Sequence, residues 1–141
     1  MNFSDVFEDF NTIKMEFIKG LVIFTVFLIV AIEIIPDFAY IPAFLAAIGL
    51  LYVGYKSLNY IQGAVLAIIA SIPGFFVMAL TTNPDFQITG ILMEIEVLIG
   101  VLIIGLICGV LGFMFKVRSE KAYAEEAKKQ NLDKKPSKKD R

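Results

Sequence analysis

A chain of 141 residues that is 57% hydrophobic and 19% charged, with a mean hydropathy of +0.74, is far more apolar than a soluble domain of its length. Its formal charge of -1 conceals an uneven distribution: between residues 20 and 115 the charged side chains are only Glu33, Asp37, Lys56, Asp85, Glu94 and Glu96. A soluble core cannot absorb so long an uncharged stretch, which excludes a cytosolic globular enzyme and predicts an all-α, polytopic integral membrane protein.

In chain order, Phe3, Val6, Phe7, Phe10, Ile13 and Phe17 recur at three- and four-residue steps, while Asp5, Glu8, Asp9 and Glu16 fall largely elsewhere. That spacing predicts an amphipathic helix over 1–16 lying on the inner membrane surface, or alternatively a simple extension of the first span. Its acidic face attracts anionic lipid poorly, so Phe burial and packing on the bundle must hold it. A four-helix transmembrane domain follows over 17–117, with spans at about 18–35, 39–57, 60–80 and 95–116, each near the roughly 20 residues that cross the hydrocarbon core. The acidic residues before the first apolar run, and the lack of a small-residue cleavage motif after it, favour a retained span over a leader. Pro36-Asp37 and Ser57-Leu58-Asn59 supply the turns between spans.

Pro42 falls in the first turn of the second span, where it costs little. Pro73 and Gly74 stand inside the third and predict a kink, with Ser71 placed to satisfy a freed backbone group. Such a bend either serves packing or walls a substrate-related cavity. Beyond the fourth span, Ala, Glu and Lys over 118–130, with the i,i+4 pairs Lys121–Glu125 and Glu125–Lys129, predict a cytoplasmic helical extension. Residues 131–141, with Pro136 and repeated Lys, read as a disordered basic tail that either fixes topology or contacts lipid or an acidic partner.

An even number of spans places both ends on one side. With N- and C-termini cytoplasmic, Lys14, Lys19, Lys56 and the ten Lys/Arg from Lys116 onward all lie inside, and the outer connections at 36–38 and 81–94 hold no basic residue. This predicts a multi-pass plasma-membrane protein with Tyr40 at the outer interface and Tyr52, Tyr55 and Tyr60 at the inner one. Pro36-Asp37-Phe38 recurs as Pro84-Asp85-Phe86, and Gly20-Leu21-Val22 resembles Gly63-Ala64-Val65. Two helical hairpins related as a parallel repeat explain this, as does chance similarity of turn residues.

With no His and a single Cys, Cys108, the chain has no usual metal, haem or iron–sulfur ligand set, and no cofactor is expected. Candidate cation or proton contacts are the outer carboxylates Glu33, Asp37, Asp85, Glu94 and Glu96. Glu33 reads as an interfacial glutamate, a helix-packing hydrogen bond, or an ion site. Glu94 and Glu96 read as first-turn caps or ion contacts. Gly100, Gly105, Gly109 and Gly112 mark span four for close helix approach, within the chain or along an oligomer seam.

The Ile41-Pro42 opening, the run from Ala46 to Gly54, and Tyr60 with Gly63-Ala64-Val65 resemble small Gly-rich membrane proteins of methanogenic archaea grouped as a domain of unknown function. The likeness covers mainly residues 36–80; the polar start, the long basic tail and a glycine-poorer third span depart from it. It implies an archaeal plasma membrane and transfers no site residue. The expected function is a small structural or accessory membrane protein, self-associating or part of a larger membrane complex, with lipid as its surroundings and no nucleic-acid partner. The alternative is an oligomeric cation channel or secondary transporter using the outer carboxylates. Proteins resembling the small multidrug exporters use a glutamate embedded in their first helix, whereas Glu33 lies near the end of its helix. Catalysis is not expected, because the apolar spans hold no paired titratable residues for acid/base work.

Overall fold

The computed structural model describes residues 10–34, 40–82 and 95–133, and all of them belong to helices or to one short turn. Helix α1 covers Phe10–Ile29 and continues as a π-helical turn over Val30–Ile34. Helix α2 covers Tyr40–Lys56, α3 Tyr60–Thr82 and α4 Ile95–Asp133. The protein is an all-α four-helix bundle. The predicted spans at 39–57, 60–80 and 95–116 each coincide with a helix to within a few residues at their starts.

Among the described residues two helices are long and apolar enough to cross a membrane by length and composition, through Tyr60–Val77 in α3 and Leu98–Gln130 in α4; α2 adds the shorter apolar stretch Ile41–Lys56. In α1, Lys14, Glu16 and Lys19 occupy the first half of the helix. The boundary expected at residue 16 falls inside this continuous helix, because neither Gly nor Pro interrupts residues 10–19 and Glu16 bridges forward to Lys19 at 2.7 Å. Helix α4 likewise continues unbroken past residue 117, through a stretch free of Gly and Pro from Phe113 to Asp133.

Around the bundle the helices follow the order α1, α2, α4, α3. The α3–α4, α1–α2 and α2–α4 contacts are the most extended, α3 closes the ring onto α1, and α2 meets α3 across the middle. The centre is built from Phe24, Leu28, Leu50, Val53 and Leu66 together with small residues, Ala46, Ala67 and Ala70. Ser57, Gln62 and Ser71 are also completely buried. Large aliphatic and aromatic side chains lie on the outside instead, among them Val22, Phe44, Ile48, Phe76, Ile99, Ile103 and Ile107. The interior is apolar as in any bundle, but so broad an apolar exterior exceeds what a soluble monomer ordinarily exposes.

Helix α3 stays helical through Pro73. The Ser71 hydroxyl donates to the Ile68 carbonyl at 2.7 Å, whereas the carbonyl deprived of its partner by Pro73 is that of Ile69. Ser71 therefore does not fill the role expected of it. Beside the proline, Gly74 admits α1: a Cβ there would meet the Phe24 ring and lie 2.9 Å from Leu28 Cδ2.

Candidate functional site

Several glycines stand where neighbouring helices meet backbone to backbone. None of the described glycines has a positive φ, so their use is proximity rather than turning. Gly20 and Gly49 bring α1 against α2, and a Cβ on Gly49 would lie 2.6 Å from the Gly20 carbonyl oxygen. Gly54, Gly63 and Gly109 form a second junction joining α2, α3 and α4. A Cβ on Gly109 would lie 2.8 Å from the Gly63 carbonyl carbon, and one on Gly54 would lie 2.9 Å from the Gly109 Cα. Gly112 extends this seam against Leu51 and Tyr55, and Gly105 faces Ala67 and Ser71. Thus Gly105, Gly109 and Gly112 meet neighbours within the chain, while among the described residues Gly100 has nothing within 4 Å of where its Cβ would be.

At the same end of the bundle, the α2–α3 turn is a buried polar knot. Gly54 accepts a bond from the Ser57 amide at 3.2 Å, and the Ser57 hydroxyl donates to the Val53 carbonyl at 2.8 Å. Asn59 caps α3 by accepting from the Gln62 amide at 2.8 Å, and the Gln62 side chain in turn accepts from the Leu58 amide at 2.8 Å. The N-x-x-Q spacing is that of a capping box, but Gln62 reaches the amide of Leu58, one residue before the N-cap Asn59. From α4, Lys116 Nζ donates to the Ser57 carbonyl at 2.8 Å and lies 5.9 Å from the centre of the Phe113 ring. A lysine thus serves as the C-terminal cap of a helix 59 residues before it. The sequence carried a signal for the Asn59–Gln62 cap, but none for its joining to Lys116.

Next to this knot, Glu16 on α1 accepts from both Lys19 and the Tyr52 hydroxyl of α2. Lys56 sits 5.7 Å from the Tyr52 ring centre and 5.9 Å from that of Tyr55. The Lys19 and Tyr52 hydrogen bonds hold the Glu16 carboxyl below the usual carboxylate range. A carboxyl depressed in the folded state contributes stability above its unfolded value and loses it as pH falls toward the folded one. Loosening of the α1–α2 contact is therefore expected on acidification through and below the usual carboxylate range. Limited proteolysis across that pH series should show the loss, and Glu16→Gln should flatten it; an unchanged pH profile in Glu16→Gln would count against the tether.

Of the predicted outer carboxylates, Glu33 alone has its side chain among the described residues. Glu33 is exposed on the π-helical turn that ends α1. Asp37, Asp85 and Glu94 lie outside the described residues, as do both Pro-Asp-Phe turns of the suspected repeat. Glu96 belongs to the first turn of α4, and its side chain is outside the described set. Among the described residues no group of three His, Cys, Asp or Glu side chains is placed to hold a metal. An apolar cleft of about 200 Å³ separates α1 from α4 over the alanines of α2, lined by Phe24, Leu28, Ala43, Ala46, Ala47 and Ile104. No known protein family, curated protein or solved structure matches the chain.

Proposed function

We propose that the chain is a multi-pass plasma-membrane protein with four spans and cytoplasmic termini. In this reading it acts as a small structural or accessory component that self-associates or joins a larger membrane complex, and it carries no catalytic centre. One observation supports the proposal: large aliphatic and aromatic side chains cover the outside of all four described helices, while glycines and alanines let the helices approach closely inside. Hydrocarbon solvates such a surface without cost, and helices in lipid gain by close backbone approach at small residues.

The use of the buried polar groups favours packing over a transport path. Ser57, Asn59 and Gln62, polar residues in or beside the middle helices, are engaged at the α2–α3 turn, and Ser71 bonds to its own helix. The proposed relation between the two hairpins draws support from the glycine contacts. Gly20 of Gly20-Leu21-Val22 meets Gly49 within the first hairpin, and Gly63 of Gly63-Ala64-Val65 meets Gly109 within the second.

Cysteine accessibility tests spanning and orientation together. In a Cys108→Ser background, Lys129→Cys should resist a membrane-impermeant maleimide until cells are permeabilised, whereas Asp85→Cys should react in intact cells. Release of the protein by alkaline carbonate, or equal labelling of the two positions, would overturn the reading.

A further inference from the structure

Where α3 begins, a groove of about 420 Å³ opens between it and α4. Its wall on α4 is apolar, formed by Val110, Phe113, Met114 and Val117, and Tyr60 flanks it from α3. At the far end the lining changes to Arg118 and Lys121. Those two residues are three apart on one helix and share a face. Neither forms an ion pair with another described residue. The neighbouring Lys116 is already committed to the Ser57 carbonyl. Of the acidic residues on this stretch, Glu120 is offset by about 100° from Lys121 around the axis, and Glu125, expected at i,i+4 to pair with Lys121, forms no such bridge among the described residues.

From Val110 to Lys121 the groove thus runs over eleven residue steps, roughly 16 Å of helix, from hydrocarbon character to paired positive charge. A ligand that satisfies both ends is an amphiphile with an anionic head. In the membrane reading, on which this inference rests, the apolar wall lies toward the bilayer and the cations emerge at headgroup level on the cytoplasmic side. We propose that the groove binds one anionic phospholipid, with its phosphodiester held between Arg118 and Lys121 and one hydrocarbon chain laid along Val110, Phe113, Met114 and Val117. Bound at this place, the lipid fills the space between α3 and α4 beside the Gly63–Gly109 contact and so completes the bundle's inner rim.

The test uses the purified full chain, titrated in detergent with phosphatidylglycerol or with phosphatidylcholine of the same chains, with bound lipid counted by native mass spectrometry. Phosphatidylglycerol should be retained preferentially. The double variant Arg118→Gln, Lys121→Gln should weaken its binding by roughly ten- to thirtyfold, the scale expected for two basic side chains at a headgroup. Neutralising Lys134, Lys135, Lys138 and Lys139 instead should leave the preference intact. Equal retention of the two lipids, a preference that survives Arg118→Gln, Lys121→Gln, or one that disappears with the tail lysines would overturn the proposal. So would full displacement by millimolar inorganic phosphate, which would assign a free-anion site. Both side chains are exposed, so the substitutions leave packing alone. Carbonate extraction of the same double variant separates the two levels: retention in the membrane without lipid preference defeats only this inference, whereas release defeats the membrane reading itself.

Discussion

Gly109→Ala is expected to destabilise the bundle by about 1–3 kcal/mol, and Gly109→Leu to prevent its folding. The added methyl at residue 109 meets backbone, the Gly63 carbonyl group and the Ala64 Cα at 2.9 Å, so no side-chain rotation relieves it. Separation of α3 from α4 is the available response, and these helices share one of the most extended contacts in the molecule. Replacing glycine by alanine in a helix gains roughly 0.5–1 kcal/mol from backbone entropy, which offsets only part of this loss. Gly100 provides the internal control. With open space around its Cβ position, Gly100→Ala should be neutral or stabilising by that same amount. Reversible unfolding of the detergent-solubilised protein in sodium dodecyl sulfate compares the two directly. Equal stability of Gly109→Ala and Gly100→Ala would mean that α3 and α4 do not meet backbone to backbone.

The second large effect is expected at Gln62. This side chain is completely buried and accepts the Leu58 amide, so Gln62→Leu keeps most of the volume while leaving that N–H without its acceptor. The expected cost is about 1–3 kcal/mol. Asn59→Ala removes the N-cap of α3 and should cost about 1 kcal/mol. Because both act on one turn, the double variant should lose less than the two single losses combined. Hydrogen exchange at the Leu58 and Gln62 amides gives a local readout that a general loss of packing would not confine to these positions. Unchanged exchange together with unchanged stability in Gln62→Leu would remove the turn from the list of structural determinants.

The helices were legible because apolar run length and turn residues dictate them directly: Ser57-Leu58-Asn59 separates α2 from α3 where the sequence predicts it. The glycine pattern of α4 was legible in part. At 3.6 residues per turn, Gly105, Gly109 and Gly112 fall within an arc of about 60°, whereas Gly100 lies about 140° from Gly105. Spacing alone therefore separates the three packed glycines from the open one, but it does not name their partners. The meeting of Gly109 with Gly54 and Gly63 depends on the order of helices around the ring. Lys116 was harder still, since its role as a cap for Ser57 comes from an element far away in sequence. The Glu16 bridge to Tyr52 has the same origin: it arises only once α1 continues through residue 16 and lies beside α2.

The length of α4 sets which of its charges a bilayer can feel. Its 39 residues extend about 58 Å, and from Lys116 to Asp133 it projects roughly 26 Å past the α2–α3 turn. At physiological ionic strength electrostatic attraction decays over about 8 Å. With the helix upright in the proposed membrane, Arg118 and Lys121 stand within one such length of Lys116. Lys128 and Lys129 stand more than two lengths away, which leaves their charges screened from the headgroups and open to the aqueous side. In that placement one continuous helix divides its basic residues between two environments, a group at headgroup level near the bundle and a solvent-facing group held at a distance from it.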